Sequence, residues 1–200
     1  TKVKEFLLER ENLGLEFKAS FRTPYPEYPE PKNKNGKQVF VMQGSTMQRE
    51  FNSITELQNE LEESSLKSIV GFLNASGGKL IIGILEEKDT GKNKFVGINR
   101  EETKIGKRFL DNDDYERYLN QQIQKRIGIQ YLGEHIVIEF IEEKNDFLCL
   151  ITCKAFYPRR GEGPVLLDGE KCFRRSGPRT DELKGRDLVN FVSNRVLEIT

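Results

Sequence analysis

Residues 65–87 read SLKSIVGFLNASGGKLIIGILEE, and the architecture follows from how that stretch divides. Its first half completes an apolar repeat, Leu57, Leu61, Leu66, Ile69, Val70 and Leu73, at the spacing of one helix face. Ser53 with Glu56 three residues later is a capping-box start for that helix. Gly77–Gly78 stops it, because paired glycines accept positive φ and let backbone approach closely. The second half, KLIIGIL over Lys79–Leu85, is apolar on both alternations and predicts a central strand buried on both faces.

Working outward, 2–10 reads as a short helix on Val3, Phe6 and Leu7, and LGLEFKAS (13–20) as an extended segment entered through Gly14. TPYPEYPEP (23–31) holds four of the seven prolines and KNKNGK follows, a composition that excludes a helix or a central strand. Residues 22–51 are therefore expected to be a long surface insertion, with a small ribbon at Gln38–Met42. Downstream, 86–94 is a turn, Phe95–Ile98 a short strand, and 112–127 a helix on Tyr115, Tyr118, Leu119, Ile123 and Ile127. Strands at 135–141 and 147–155 flank Lys144–Asn145–Asp146, and Asp168–Gly169 turns another hairpin. A last helix is expected from Thr180, presenting Leu188, Phe191, Val192 and Val196. The expectation is one α+β domain over 1–200, with a mixed, mostly antiparallel sheet of roughly six strands packed by about four helices.

Composition narrows the chemistry. Of 200 residues, 32 are Lys or Arg and 32 are Asp or Glu, so the formal net charge is zero, which argues against binding nucleic acid by bulk charge. His135 is the only histidine, which removes HExxH zincins, paired-His zinc fingers and multi-histidine metal cages. Cys149, Cys153 and Cys172 form no CxxC pair and suggest free thiols in a reducing cytoplasm. No apolar run approaches the roughly 20 residues that span a bilayer, so no membrane association is expected. The start at Thr1 suggests a domain of a longer protein with further domains. Positive charge concentrates in Lys154–Arg179, where seven basic side chains face three acidic ones. A solvated Arg-rich hairpin is the plain account of that segment.

Three motifs carry candidate chemistry. In Glu11-x4-Glu16-x-Lys18, strand alternation puts Glu16 and Lys18 on one face about 7 Å apart. Glu11, before the Gly14 bend, can fold back towards them. Two carboxylates and an ammonium in one place suit metal-assisted phosphodiester cleavage, the carboxylates holding Mg²⁺ or Mn²⁺ and the lysine countering developing charge. An edge strand with ordinary solvated charges is the alternative. Asn74-Ala75-Ser76-Gly77-Gly78-x4-Gly83 follows a helix C-terminus, so it reads as a stop and packing device rather than a phosphate cradle. Glu86 and Glu87 close the buried strand, where a carboxylate can join a site built on neighbouring elements.

In order, ENLGLEFK (11–18), the quoted 65–87 stretch, FVGI (95–98) and CFRRSGPRTDELKGRDLVNFV (172–192) resemble the Schlafen AlbA-like domain. That family is also catalogued as a DNA-binding domain of bacterial and archaeal regulators. Asn74, Gly77, Gly78, Gly83, Gly97, Arg175, Gly177 and Thr180 fit its pattern, over nearly the whole chain outside 22–51. Some Schlafen members are metal-dependent endoribonucleases acting on structured RNA such as tRNA through three carboxylates. By position the resemblance implies Glu11, Glu16 and Glu86 as metal-holding acids, with Glu standing where the family usually has Asp and Glu87 as an adjacent rival. Lys18 is the implied charge stabiliser. Lys18, Arg159, Arg160, Arg174, Arg175 and Arg179 are candidates to hold a phosphate backbone, RNA favoured over DNA, and Tyr25 and Tyr28 to stack on bases. Two further functions stay open. One is a non-catalytic DNA- or RNA-binding module of a transcriptional regulator or defence protein. The other is an oligomerisation or nucleotide-sensing domain, a homodimer included.

Overall fold

Ser53 and Glu56 start the long helix as their spacing predicts, and a single glycine redirects the strand that follows it. The structure, a computed structural model, describes residues 2–43, 48–87, 92–103, 106–159 and 161–197. Within them the chain forms α1 (Lys2–Phe6), β1 (Leu15–Lys18), β2 (Pro31–Lys34), β3 (Lys37–Gln43), β4 (Gln48–Phe51) and α2 (Ile54–Leu73). Next come β5 (Gly78–Ile82), β6 (Ile84–Glu87), β7 (Lys92–Phe95), α3 (Asn112–Arg126) and a 3₁₀ turn at Ile129–Tyr131. The last elements are β8 (Ile136–Glu143), β9 (Asp146–Cys153), β10 (Leu166–Leu167), β11 (Lys171–Ser176), β12 (Arg179–Leu183) and α4 (Gly185–Leu197). The class is α+β with mixed, mostly antiparallel sheets.

The main sheet runs β1-β5-β9-β8, with β1 parallel to β5 and the other pairs antiparallel. Its centre is the predicted buried strand. Leu80 and Ile82 face α2 and α3 with Leu66, Ile69, Val70, Leu119 and Ile123, while Ile81 faces Val3 and Phe6 of α1 with Leu15 and Phe17. The expected strand does not run straight through Leu85, because Gly83 takes φ +103°. A Cβ there would stand 2.9 Å from Leu148 and 3.3 Å from the Gly97 backbone, so only glycine permits the bend. Beyond it the chain leaves the main sheet as β6 and pairs with β7.

Ser53 accepts the Glu56 amide at 3.1 Å, and Glu56 returns a bond to the Asn52 amide rather than to Ser53 itself. At the other end Gly77, at φ +81°, donates to Phe72 O, and the buried Asn74 side chain bonds Val165 and Phe173 backbone, tying α2 to the β10–β12 sheet. Ser53→Ala removes the cap and should cost about 1 kcal/mol in urea unfolding; a change under about 0.3 would show the Glu56 bonds suffice.

Further expectations change, among them the short strand, which falls at Lys92–Phe95 rather than at Phe95–Ile98. β2, β3 and β4 form a three-stranded antiparallel sheet, larger than the expected ribbon at Gln38–Met42. Arg22, before it, is buried at 1 % exposure and bonds Glu62, Tyr118 and Gln58, while Glu101 accepts the amides of Phe21, Arg22 and Thr23. The final helix begins at Gly185, because Thr180 pairs with Arg175 in β12. Val196 lies in it, but its side chain is outside the described residues. Among the described residues no helix is long and apolar enough to cross a membrane.

Candidate functional site

Strand alternation places the site. Leu15 and Phe17 of β1 point into the α1 face of the sheet, so Glu16 and Lys18 point to the other. Lys18 Nζ donates to Glu16 Oε1 at 2.6 Å. Arg175 reaches Glu16 Oε2 from β11. The arginine also donates to Asn12 O and Leu15 O at 2.9 Å each, and its guanidinium lies 5.0 Å over the Phe72 ring. Glu16 is 7 % exposed and Arg175 3 %, so this pair is a buried one.

Glu11 folds back over the Gly14 bend as its position suggests, and its Oε1 accepts the Phe17 amide at 2.9 Å. Burial pushes its carboxyl up to about 6, the charges of Glu16 and Glu86 add to that, and the Phe17 bond and Lys18 oppose it. Glu86 arrives from β6. It pairs with Asn93, whose side chain donates to Phe6 O and Glu9 O and so holds the β6–β7 hairpin against the segment leading to Glu11. Alternation sends Glu87 the other way, towards Lys94, so of the two it is Glu86 whose charge acts on Glu11.

Glu11, Glu16, Lys18 and Glu86 are thus one electrostatic neighbourhood, but they are not equivalent. Among the described residues no three Asp, Glu, His or Cys side chains are grouped tightly enough to hold one ion. Both Glu16 oxygens already face cations. Glu11 keeps one oxygen clear of its amide bond, and Glu86 makes no hydrogen bond or ion pair among the described residues. That donor set fits Mg²⁺ or Mn²⁺ in the common manner, with two carboxylates completed by water and phosphate oxygens. It does not fit a closed three-carboxylate cage.

The basic candidates separate in the same way. Arg174 and Arg179 are exposed and share the outward face of the β11–β12 hairpin, Arg174 opposite Asp181 and Arg179 opposite Ser176. Arg174 is braced 5.2 Å from the Phe191 ring. Arg175, one residue on, points inward and is spent on Glu16, so it is not available to a phosphate backbone. Arg159 is exposed on the loop after β9, and Arg160 lies outside the described residues. Tyr25 is packed between Lys94 and Arg100, and Tyr28 bonds Glu102 and Gln58, so neither tyrosine is a free stacking platform. Arg175 as the partner of Glu16 is the residue that its sequence neighbours disguise. Its signal is the parity that separates it from Arg174.

Known proteins extend this picture. No curated protein matches the chain. Among solved structures, the DIP2311 protein from Corynebacterium diphtheriae is similar over 90 % of this chain at 18 % identity, with TM-score 0.47. This chain spans 29 % of that one. The N-terminal domain of an ATP-dependent DNA helicase RecG-related protein from Nitrosomonas europaea is similar over 62 % of this chain and 74 % of its own length, at 16 % identity and TM-score 0.39. Residues 11–184 match the family model described as Schlafen, AlbA_2, from the first acid of the site to the end of the arginine-bearing hairpin. The chain belongs to the Schlafen AlbA_2 family.

Proposed function

We propose that this domain binds nucleic acid and cleaves structured RNA, tRNA being the model of the class, as a metal-dependent endoribonuclease. The observation that carries the reading is the half-buried Glu11 held beside the backbone of β1 in the field of two other acids, Glu16 and Glu86, which with burial raises its carboxyl to about 6. A cation relieves that repulsion, and a phosphodiester supplies the remaining oxygens. Bound Mg²⁺ or Mn²⁺ would supply an activated water and Lewis acidity at the scissile phosphate. Glu11 and Glu86 would hold the ion. Glu16 fixes the Lys18 ammonium beside them, where it counters charge developing on phosphate oxygens. Arg174 and Arg179 hold the backbone outside the site.

Because two like-facing guanidiniums and not the whole surface carry the binding, Arg174→Ala should lower the slope of log K against log salt by about 0.7 on single strands. An unchanged slope places the phosphate contacts elsewhere.

The test is cleavage of a structured RNA with and without Mn²⁺, comparing wild type with Glu86→Gln. Glu86→Gln is the clean variant, since Glu16→Ala would leave Arg175 buried without its counter-charge. Metal-dependent cleavage by wild type, abolished in Glu86→Gln, is expected. Intact RNA at stoichiometric enzyme and millimolar Mn²⁺ would overturn the catalytic reading. The engagement of both Glu16 oxygens favours one second reading, a non-catalytic DNA- or RNA-binding module, in which binding survives Glu86→Gln and no cleavage occurs.

A further inference from the structure

At the far edge of the main sheet from Glu16, the segments that precede β8 and follow β9 enclose a cavity of about 720 Å³. Three strand spacings, about 14 Å, separate the two edges. Tyr131, His135, Phe156, Tyr157 and Arg159 line the cavity, with Glu134 and Glu162 at its polar side. The rings are fixed against one another, Tyr131 to Phe156 at 5.1 Å and His135 to Phe156 at 5.4 Å, both edge-to-face.

Tyr157 differs from the others. It is 55 % exposed, yet one face of its ring is backed by the Arg195 guanidinium at 5.1 Å. Arg195 is itself buried and bonds Leu73 O, Asn74 O and Phe156 O, so the platform is rigidly mounted. A large aromatic face held open to solvent on a buried arginine is a stacking surface whose ordering cost is already met by the fold. At the rim, Glu162 accepts the Arg159 amide at 2.7 Å and donates its own amide to Arg159 O, which fixes the base of that arginine. Two carboxylates against one guanidinium make the cavity a poor home for a polyphosphate and a good one for a ring bearing an amino donor. His135 Nδ1 is buried without a hydrogen-bond partner in the same wall.

We propose that this cavity takes an unpaired nucleobase with an exocyclic amino group, stacked on Tyr157, its amino group towards Glu134 or Glu162 and its phosphate on Arg159. The proposal rests on the nucleic-acid reading only for the source of the base. The same chemistry is presented by an unpaired residue of a strand and by a free mononucleotide.

The experiment titrates an adenine-rich single-stranded RNA decamer, the corresponding duplex, and AMP, all in EDTA, into wild type, Tyr157→Ala and Tyr157→Phe. Tyr157→Ala is expected to weaken the single strand about ten- to hundredfold, to leave the duplex within about twofold, and to be rescued by Tyr157→Phe. A uridine-only decamer should bind more weakly than the adenine-rich one, and equality would overturn the amino-group assignment. AMP binding as tight as the decamer, and lost in Tyr157→Ala, makes free nucleotide the source, whereas binding of the strand alone makes it an unpaired base. Wild type and Tyr157→Ala that bind the decamer equally overturn the cavity while nucleic-acid binding stands. A wild type that binds none of the probes overturns both.

Discussion

Arg175→Met is expected to lower the unfolding free energy by about 3–5 kcal/mol, and with it the melting temperature by about 6–20 °C. The cost has two parts. Glu16, at 7 % exposure, loses the cation on one oxygen and keeps only Lys18 on the other. The carbonyls of Asn12 and Leu15, on either side of the Gly14 bend, lose their guanidinium donors, worth about 1 kcal/mol each. Methionine keeps the apolar stem over Phe72, so the loss reports charge and hydrogen bonds rather than volume. A buried pair costs more to break than to replace, so Glu16→Leu with Arg175→Met should recover most of the lost stability. Urea unfolding of the two variants measures both quantities. A loss under about 1 kcal/mol for the single variant would mean that Lys18 alone neutralises Glu16, and the assignment of Arg175 as the strut of the site would fall.

That strut shows where sequence reading stops. The α2–β5 unit was legible because its signals are local: a cap at Ser53, helical spacing through Leu73, a glycine stop, and an apolar run. Glu16 and Lys18 on one face, with Glu11 folded back, were legible for the same reason, since alternation and a glycine bend are properties of the segment itself. Glu62 and Arg22 were not. Arg22 falls in the segment expected at the surface, yet it and Glu62 are both buried, paired with each other across 40 residues and joined by Tyr118 and Gln58. Adjacent Arg174 and Arg175 look alike as a basic cluster, and they part only when β11 is known to be a strand with one face on α2. Thr180 lies in an extended strand because Arg175 stands opposite it, a pairing that helical periodicity downstream cannot reveal. The Gly83 bend is in the sequence as a glycine, but its meaning depends on Leu148 and Gly97 crowding the same point.

Glu11→Gln is expected to abolish cleavage, by at least about a hundredfold, while making the protein more stable at neutral pH. The sign follows from the raised carboxyl. Its folded value of about 6 lies above the ordinary 4.5, so the fold prefers the neutral form. The stabilising contribution is full below about 4.5 and is lost as pH rises through 6, so at pH 7.5 the ionised side chain is a net cost. The shift sets an upper bound of about 2 kcal/mol, and solvent screening of a half-buried group reduces it to about 1 kcal/mol. Glutamine keeps the acceptor for the Phe17 amide and removes the charge that Glu16 and Glu86 repel. In EDTA, the variant and wild type should therefore be equally stable near pH 4 and diverge by about 1 kcal/mol by pH 7.5. Millimolar Mg²⁺ or Mn²⁺ should then raise the melting temperature of wild type and not of Glu11→Gln, because an ion that binds only the folded state stabilises by mass action. Parallel pH profiles for the two proteins would remove the electrostatic argument. An equal metal-induced shift in both would place the ion away from Glu11 and leave Glu11 as the anchor of the Phe17 amide alone.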